Sequence, residues 1–298
     1  MVTLLDGGIG FELKLRGVEV PSHLDSIWSA QALMADPEAV ESVHHDYITA
    51  GADVVTINNY SVTPQLLERV GMADRVEELT HLAVDLVERA AESAGRRPRI
   101  AGSLPPLESS YRVDLAADRE AVLASYRRIA SVLAERVDLI LCETMASGEE
   151  AALAATVAAG TGLDYWVSFT MQGTRLNTLP SGESLEQALA ALEGLEPAAY
   201  LVNCCGANFV TDAMPRLAKL ATGPVGGYAN AEWVEPCGGH RGPDTDAEDR
   251  QRQASTELGP GPYADEARQW LESGATVIGG CCGTRPDHIR ALRVLLDG

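Results

Sequence analysis

A single (β/α)8 TIM barrel of the α/β class, spanning residues 1–298, is the fold the sequence predicts, on three observations. Eight short apolar runs alternate with helical segments, the pattern of a parallel sheet built from strand and helix units. Polar or thiol side chains, Asp6, Asn58, Glu143, Cys204, Asn230, Cys281 and Cys282, fall at the C-terminal ends of those runs, where a barrel places its active site. No linker-like stretch divides the chain, and 298 residues suit one large domain.

Residues 3–5 form a short first strand, and Asp6, Gly7, Gly8 and Gly10 turn the chain toward a helix over 11–16. Asp36 reads as an N-cap, with Pro37 at the first helical position, for a helix that ends at Ala50 and stops at Gly51. His44 and His45 lie on it and are expected to be packed or solvated. The β-branched run 52–56 is the second strand, ending in Asn58, Asn59 and Tyr60. Residues 64–97 read as helical in two pieces broken near Gly71. A third strand, 100–103, leads into the loop LPPLESSYRVD, and a helix follows over 118–136. The fourth strand, 137–142, carries Glu143 and Thr144 at its tip, and Ser147 with Glu150 makes a capping box for the next helix. Strands over 166–169, 199–202 and 224–228 alternate with helices over 184–192 and 207–221. The irregular segment 231–262, rich in Gly, Pro and Asp, reads as a lid loop. A helix over 264–273, a last strand over 275–280 and a helix over 286–296 complete the pattern.

The chain carries 23 Lys and Arg against 43 Asp and Glu, a formal charge of -20. Such a surface disfavours nucleic acid and anionic membrane and points to small partners that are neutral or cationic. No window approaches the ~18 uninterrupted apolar residues of a membrane span. The opening MVTLLDGGIG has neither a basic leader nor a signal-like apolar core, so export is not expected. Six cysteines, two of them adjacent, do not suggest a disulfide framework, and a cytoplasmic location is expected. Oligomeric state is not legible; a homo-oligomer is left open.

The cysteines carry the chemistry. The last strand, ATVIGG, delivers Cys281 and Cys282 at its tip, and the run 199–202 ends in Asn203, Cys204 and Cys205. Two strands with thiols at the same end can bring three sulfurs to one point, where soft ligands select zinc and leave a fourth position open. Burial as small hydrophobes is the other reading, and spacing alone leaves both standing. Vicinal thiols on a strand point to opposite faces, so convergence requires a turn, which the flanking glycines permit. Cys237 and His240, in the lid segment, are two residues apart and read as a weaker accessory pair.

Together, LLDGGIGFEL, AGADVVTINNY, LCET, VSFT with SGESL, LVNC and GGCCGTRPDHI resemble the homocysteine S-methyltransferase family, in order and over nearly the whole chain. The resemblance implies a (β/α)8 barrel with Zn2+ held by Cys204, Cys281 and Cys282, while Cys205 points away. It implies transfer of a methyl group from an onium donor, S-methylmethionine or S-adenosylmethionine ahead of betaine, to the zinc-bound thiolate of homocysteine, giving methionine. Coordination removes the thiol proton, and a site already carrying three cysteinates keeps a fourth thiolate electron-rich, so no catalytic residue beyond the metal site is required. Glu143 is expected to pair with the homocysteine ammonium and Asp6 to assist, with Asn58, Asn230 and Tyr60 as further substrate contacts. Trp28, Tyr111 and Trp233 are the other aromatic candidates for facing an onium group. No segment remains for a folate or cobalamin carrier. Phe11, Leu104-Pro105-Pro106 and Gly227-Tyr228-Ala229-Asn230 depart from the family pattern and bear on the donor and acceptor rather than the metal. Two alternatives stand beside this reading: the same chemistry on another thiol or selenol, and a noncatalytic zinc- or thiol-binding homologue.

Overall fold

The apolar runs pair side by side as parallel strands. In spatial order these are β1 (Thr3–Leu4), β10 (Val277–Gly280), β7 (Val225–Asn230), β6 (Ala199–Gly206), β5 (Asp164–Phe169), β4 (Leu139–Met145), β3 (Arg99–Leu104) and β2 (Val54–Thr56). A parallel bridge from Leu5 to Val54 joins the two ends of this sheet, with Asp53 N–H donating to Leu4 O at 2.7 Å and Asp6 N–H to Val54 O at 3.1 Å. The sheet thereby rings an interior in a TIM barrel, as the alternation of elements predicts. The computed structural model describes residues 2–21, 27–108, 110–111, 118–173, 175–236 and 255–298.

Strand alternation sorts the core into two layers. Leu5, Val54, Leu139, Leu141, Trp166, Leu201 and Val277 fill the barrel interior, whereas Ile140, Cys142, Val167 and Val202 face the helices. The same alternation carries Glu143 to the interior at the tip of β4 and puts Asn203 there at the tip of β6. The strands extend beyond the apolar runs that announce them, because ladder hydrogen bonds continue through polar residues such as Glu143 and Asn230.

Local chemistry explains the helix ends. Asp36 accepts from Ala39 N–H at 3.1 Å to start α3 (Pro37–Ala50), which Gly51 ends at φ +111°. Ser147 accepts from Glu150 N–H at 3.1 Å before α7 (Gly148–Ala159), but the Glu150 carboxylate reaches Ala146 N–H rather than closing a reciprocal box on Ser147. The stretch 64–97 divides into α4 (Pro64–Glu68), a 3₁₀ turn (Ala73–Arg75) and α5 (Val76–Ala94), with Gly71 at φ +69° marking the break. α1 (Ile9–Leu15) follows the glycine turn, and α2 (Ala30–Ala35) is an element the sequence pattern does not announce. Glu12, buried in α1, receives Arg16 and Arg285 and so ties the N-terminal turn to the last helix, Pro286–Asp297.

The segment 231–262 is more regular at its ends than a lid loop implies. β8 (Glu232–Val234) pairs antiparallel with β9 (Ser255–Glu257), and the next helix begins at Pro260 rather than 264. Prolines at 260 and 262 fit because first-turn N–H groups have no intrahelical acceptor. Cys237 and His240 lie outside the described residues. Among the described residues no helix is long and apolar enough to cross a membrane.

His44, on α3, is buried, and among the described residues neither ring nitrogen has a hydrogen-bond partner. Burial pushes its pKa from 6.5 down to about 3. The fold holds it neutral while the unfolded chain takes up a proton as the pH drops through 6.5, so stability is lost as the pH falls toward 3. His44→Leu is therefore expected to unfold within ~1.5 kcal/mol of the parent at neutral pH and to show a shallower loss of stability between about pH 6 and 4. Denaturant titrations at both pH values check this.

Candidate metal centre and substrate cavity

Cys281 and Cys282 are presented by a turn held against the end of β7. Cys281 N–H donates to Ala229 O at 2.8 Å, and Ala231 N–H donates to Cys282 O at 2.8 Å. Thr284 closes the turn by donating its hydroxyl to Cys281 O at 2.6 Å. The glycines serve close approach more than unusual dihedrals. A Cβ on Gly8 would lie 2.5 Å from Cys281 O, and one on Gly280 would collide with the Thr284 side chain, whereas the left-handed position is Gly283 at φ +77°.

Cys204 reaches the same point by a different device. Interior positions 199, 201 and 203 would send residue 204 outward by simple alternation, but the register of β6 shifts between Asn203 and Gly206 and Cys204 adopts φ +54°. The left-handed turn swings its side chain into the mouth and leaves Cys205 in the outer core. The three sulfurs of Cys204, Cys281 and Cys282 lie within 4.8 Å of one another. Cys281 is pushed well up by its hydrogen bonds to Cys204 and Cys282 and by burial, while Cys282 is held well down by its bonds from the same two thiols. Three soft donors that hydrogen-bond to one another are a set suited to a thiophilic cation. The Tyr111 hydroxyl donates to Cys204 O at 2.9 Å and lies 2.9 Å from its Sγ.

These sulfurs face a cavity of about 350 Å³ at the C-terminal end of the barrel. Asp6, Asn58, Tyr60, Glu143 and Asn230 line it with the three cysteines, as do Trp28 and Tyr111. Trp233 does not; it is exposed on β8. Burial pushes the Glu143 carboxyl up to about 7, and the Tyr228 hydroxyl, donating to its Oε2 at 3.2 Å, offsets part of that. Asp6 is raised well above the usual carboxylate range, chiefly by burial, although Thr56 N–H donates to it at 3.0 Å; the nearby Glu143 charge raises it further. The Asn58 amide is committed on both sides to Ser29, at 2.6 and 2.9 Å. Tyr60 shares a 2.6 Å hydrogen bond with Ser110.

Comparison with known proteins assigns the family at this point. The family model described as homocysteine S-methyltransferase matches residues 3–296. The chain belongs to the homocysteine S-methyltransferase family. The Escherichia coli homocysteine S-methyltransferase is 31% identical over 308 residues, covering 98% of this chain and 94% of that protein. A selenocysteine Se-methyltransferase from Brassica oleracea var. italica is 26% identical, covering 97% and 87%. The crystal structure of the E. coli homocysteine methyltransferase MmuM in its metallated form superimposes with a TM-score of 0.80 at 29% identity, over 99% of this chain and 96% of that one.

Among the residues of this family member's site that were not singled out from sequence are Phe11, Tyr228 and Asn203. Phe11 and Tyr228 line the cavity, at positions noted only as departures from the family pattern. Asn203 is the third. Its Oδ1 accepts from Thr144 N–H at 3.0 Å and from the Ser168 hydroxyl at 2.7 Å, and its Nδ2 donates to Thr144 Oγ1 at 2.9 Å. Thr144, a β-branched residue at φ +61°, sits at the second register shift, between Cys142 and Met145. The signal was available: Asn203 is an interior strand position carrying an amide where apolar residues precede it. Asn203→Leu leaves the Thr144 N–H without an acceptor in the interior and is expected to cost about 2–3 kcal/mol. It should also loosen metal retention, measured by denaturant unfolding and by metal content after dialysis.

Proposed function

We propose that this chain transfers a methyl group from an onium donor to the sulfur of homocysteine, or of a close thiol or selenol analogue, using Zn2+ held by Cys204, Cys281 and Cys282. The observation that carries the reading is the convergence of three thiols, from two strands, on one wall of a cavity that also holds a buried carboxyl pair. Relatives named for homocysteine and for selenocysteine support a thiol or selenol acceptor and keep the second open. Bound zinc would supply the positive charge that keeps the acceptor sulfur deprotonated near neutral pH.

The remaining chemistry falls to the chain. Glu143, as carboxylate, receives the acceptor's ammonium, and Asp6 assists it with a second acceptor oxygen in the same cavity. The aromatic faces of Trp28, Tyr60 and Tyr111, with Phe11, surround the mouth and suit a cationic methyl donor. A lone pair on the acceptor sulfur forms the new bond to the methyl carbon while the donor's bond to that carbon breaks, its electron pair staying on the departing heteroatom. Thiolate and onium charges cancel, and no proton moves in the step. No Lys, Arg or His among the described residues lines the cavity, in keeping with a cationic donor. A reducing compartment such as the cytoplasm would keep the free thiols available.

Methionine formation by zinc-loaded protein, given homocysteine with S-methylmethionine, S-adenosylmethionine or betaine in separate reactions, is the direct test; turnover is expected with a sulfonium donor and should stop with a chelator. Cys281→Ala is expected to lose zinc and turnover with circular dichroism unchanged, and full activity in that variant would refute the ligand set. Because Glu143 titrates at about 7, its carboxylate is lost as the pH falls through that value. The KM for homocysteine should accordingly rise below about pH 7, by up to ~10-fold per unit, and Glu143→Gln should raise KM at neutral pH and remove that dependence.

A further inference from the structure

β10 ends in Gly279 and Gly280, so the two residues before Cys281 bring no side chain that could lock them into their surroundings. The β7–β10 ladder closes on the pair Ala229 and Gly280, and Cys281 leaves the strand immediately beyond it. Where the two vicinal thiols point therefore depends on how firmly the backbone of that last rung is held.

A side chain from outside the barrel sits on that rung. Tyr263, fully buried in the helix Pro260–Glu272, accepts from Ala229 N–H through its hydroxyl at 3.0 Å, and the same oxygen lies 2.9 Å from Ala229 O and 2.8 Å from Gly279 O. Ala229 O also accepts from Cys281 N–H at 2.8 Å, so the phenol and the thiol-bearing turn meet at one carbonyl. The tyrosine ring is itself fixed, standing edge-on to Trp270 at 5.7 Å and to His288 at 5.6 Å. His288 accepts from Arg285 N–H through Nδ1 at 3.2 Å, which leaves Nε2 to donate to Leu258 O at 2.8 Å. Leu258 N–H in turn donates to Ala231 O at 2.9 Å, and Ala231 is the residue whose N–H holds Cys282 O. Cys281 and Cys282 thus hang from Ala229 and Ala231, and both alanines are braced from the helix side.

We propose that Tyr263 is a positioning residue of the metal centre: its hydroxyl clasps the last rung of the β7–β10 ladder and so fixes the main chain from which Cys281 and Cys282 reach the ion. The inference rests on the reading above that Cys204, Cys281 and Cys282 hold Zn2+. Tyr263 touches neither the sulfurs nor the cavity; it acts through Ala229 and Gly279. Groups that orient the ligands of a metal set its affinity and geometry as the ligands themselves do, and a glycine-ended strand gives such a group more to hold than a strand with its own side chains.

The test is Tyr263→Phe, which keeps the ring and its contacts and removes only the hydroxyl. The Kd for Zn2+, read by competition with a chromophoric chelator, is expected to rise by about 10- to 100-fold. The Co2+-loaded variant is expected to differ from the parent in the positions and intensities of its visible ligand-field bands, which report ligand geometry and which a loss of general stability alone does not move. Tyr126→Phe is the control. Its hydroxyl is likewise buried and donates to Pro105 O at 3.1 Å, away from β7 and β10, so its Zn2+ affinity should stay within about twofold of the parent. An unchanged Kd and Co2+ spectrum in Tyr263→Phe, or an equal weakening in Tyr126→Phe, overturns the proposal. If the parent binds Zn2+ and Tyr263→Phe weakens that binding while no onium donor gives turnover, the positioning role stands and the methyl-transfer reading fails. If the parent binds no Zn2+, the ligand set and the positioning role fail together.

Discussion

The site depends on a backbone constraint at Cys204. Cys281 and Cys282 arrive on β10, Cys204 on β6, and β7 runs between them, so a thiol from β6 can join the other two only if its strand departs from regular alternation. The left-handed turn at Cys204 makes that departure. A non-glycine residue in that region costs about 1–3 kcal/mol and persists only where its surroundings hold it. The holding group is Asn203, whose three hydrogen bonds reach across β5 to Thr144, itself in the left-handed region, and to Ser168 on β5. One amide therefore stands between the strand tip that presents Glu143 and the one that presents Cys204. The proposed metal wall and the proposed ammonium partner are braced by the same contact.

Electrostatics at the mouth all run in one direction. Glu143 and Asp6 are buried beside three thiols, and their carboxyls are raised because each negative charge is desolvated and sits near others. No cationic side chain lines the cavity among the described residues. A cavity of that character stores unfavourable energy that a cationic ligand would relieve, in keeping with the proposed metal, ammonium and onium groups. The formal charge of -20 extends the same bias over the surface.

Much of this was legible in the sequence, and the limits are instructive. The eight strands and the residues at their tips could be read because apolar runs, glycine stops and N-caps such as Asp36 act over a few residues. Where prolines crowd a first turn, as at Pro260 and Pro262, the same local rules placed the helix start too late. Asn58 sits at the mouth as its strand predicts, yet Ser29 occupies both ends of its amide, a partner 29 residues away that no spacing rule supplies. Asn203 was read only as part of a motif, because its role depends on Thr144, 59 residues distant. Trp233 belongs to an antiparallel pair outside the barrel, which periodicity in an irregular segment does not reveal.

The sequence by itself determined the barrel, the end of it that would carry chemistry, and the residue types available there, since strand and helix periodicity, caps and thiol spacing are properties of short segments. Only the tertiary structure decided how Cys204 is turned into the cavity, by a register shift and a left-handed residue that simple strand alternation does not supply, and that Asn203 braces two strained strand tips. Those outcomes depend on strand order and on contacts between residues far apart in the chain, where hydrogen bonds and burial, not local propensity, select the conformation.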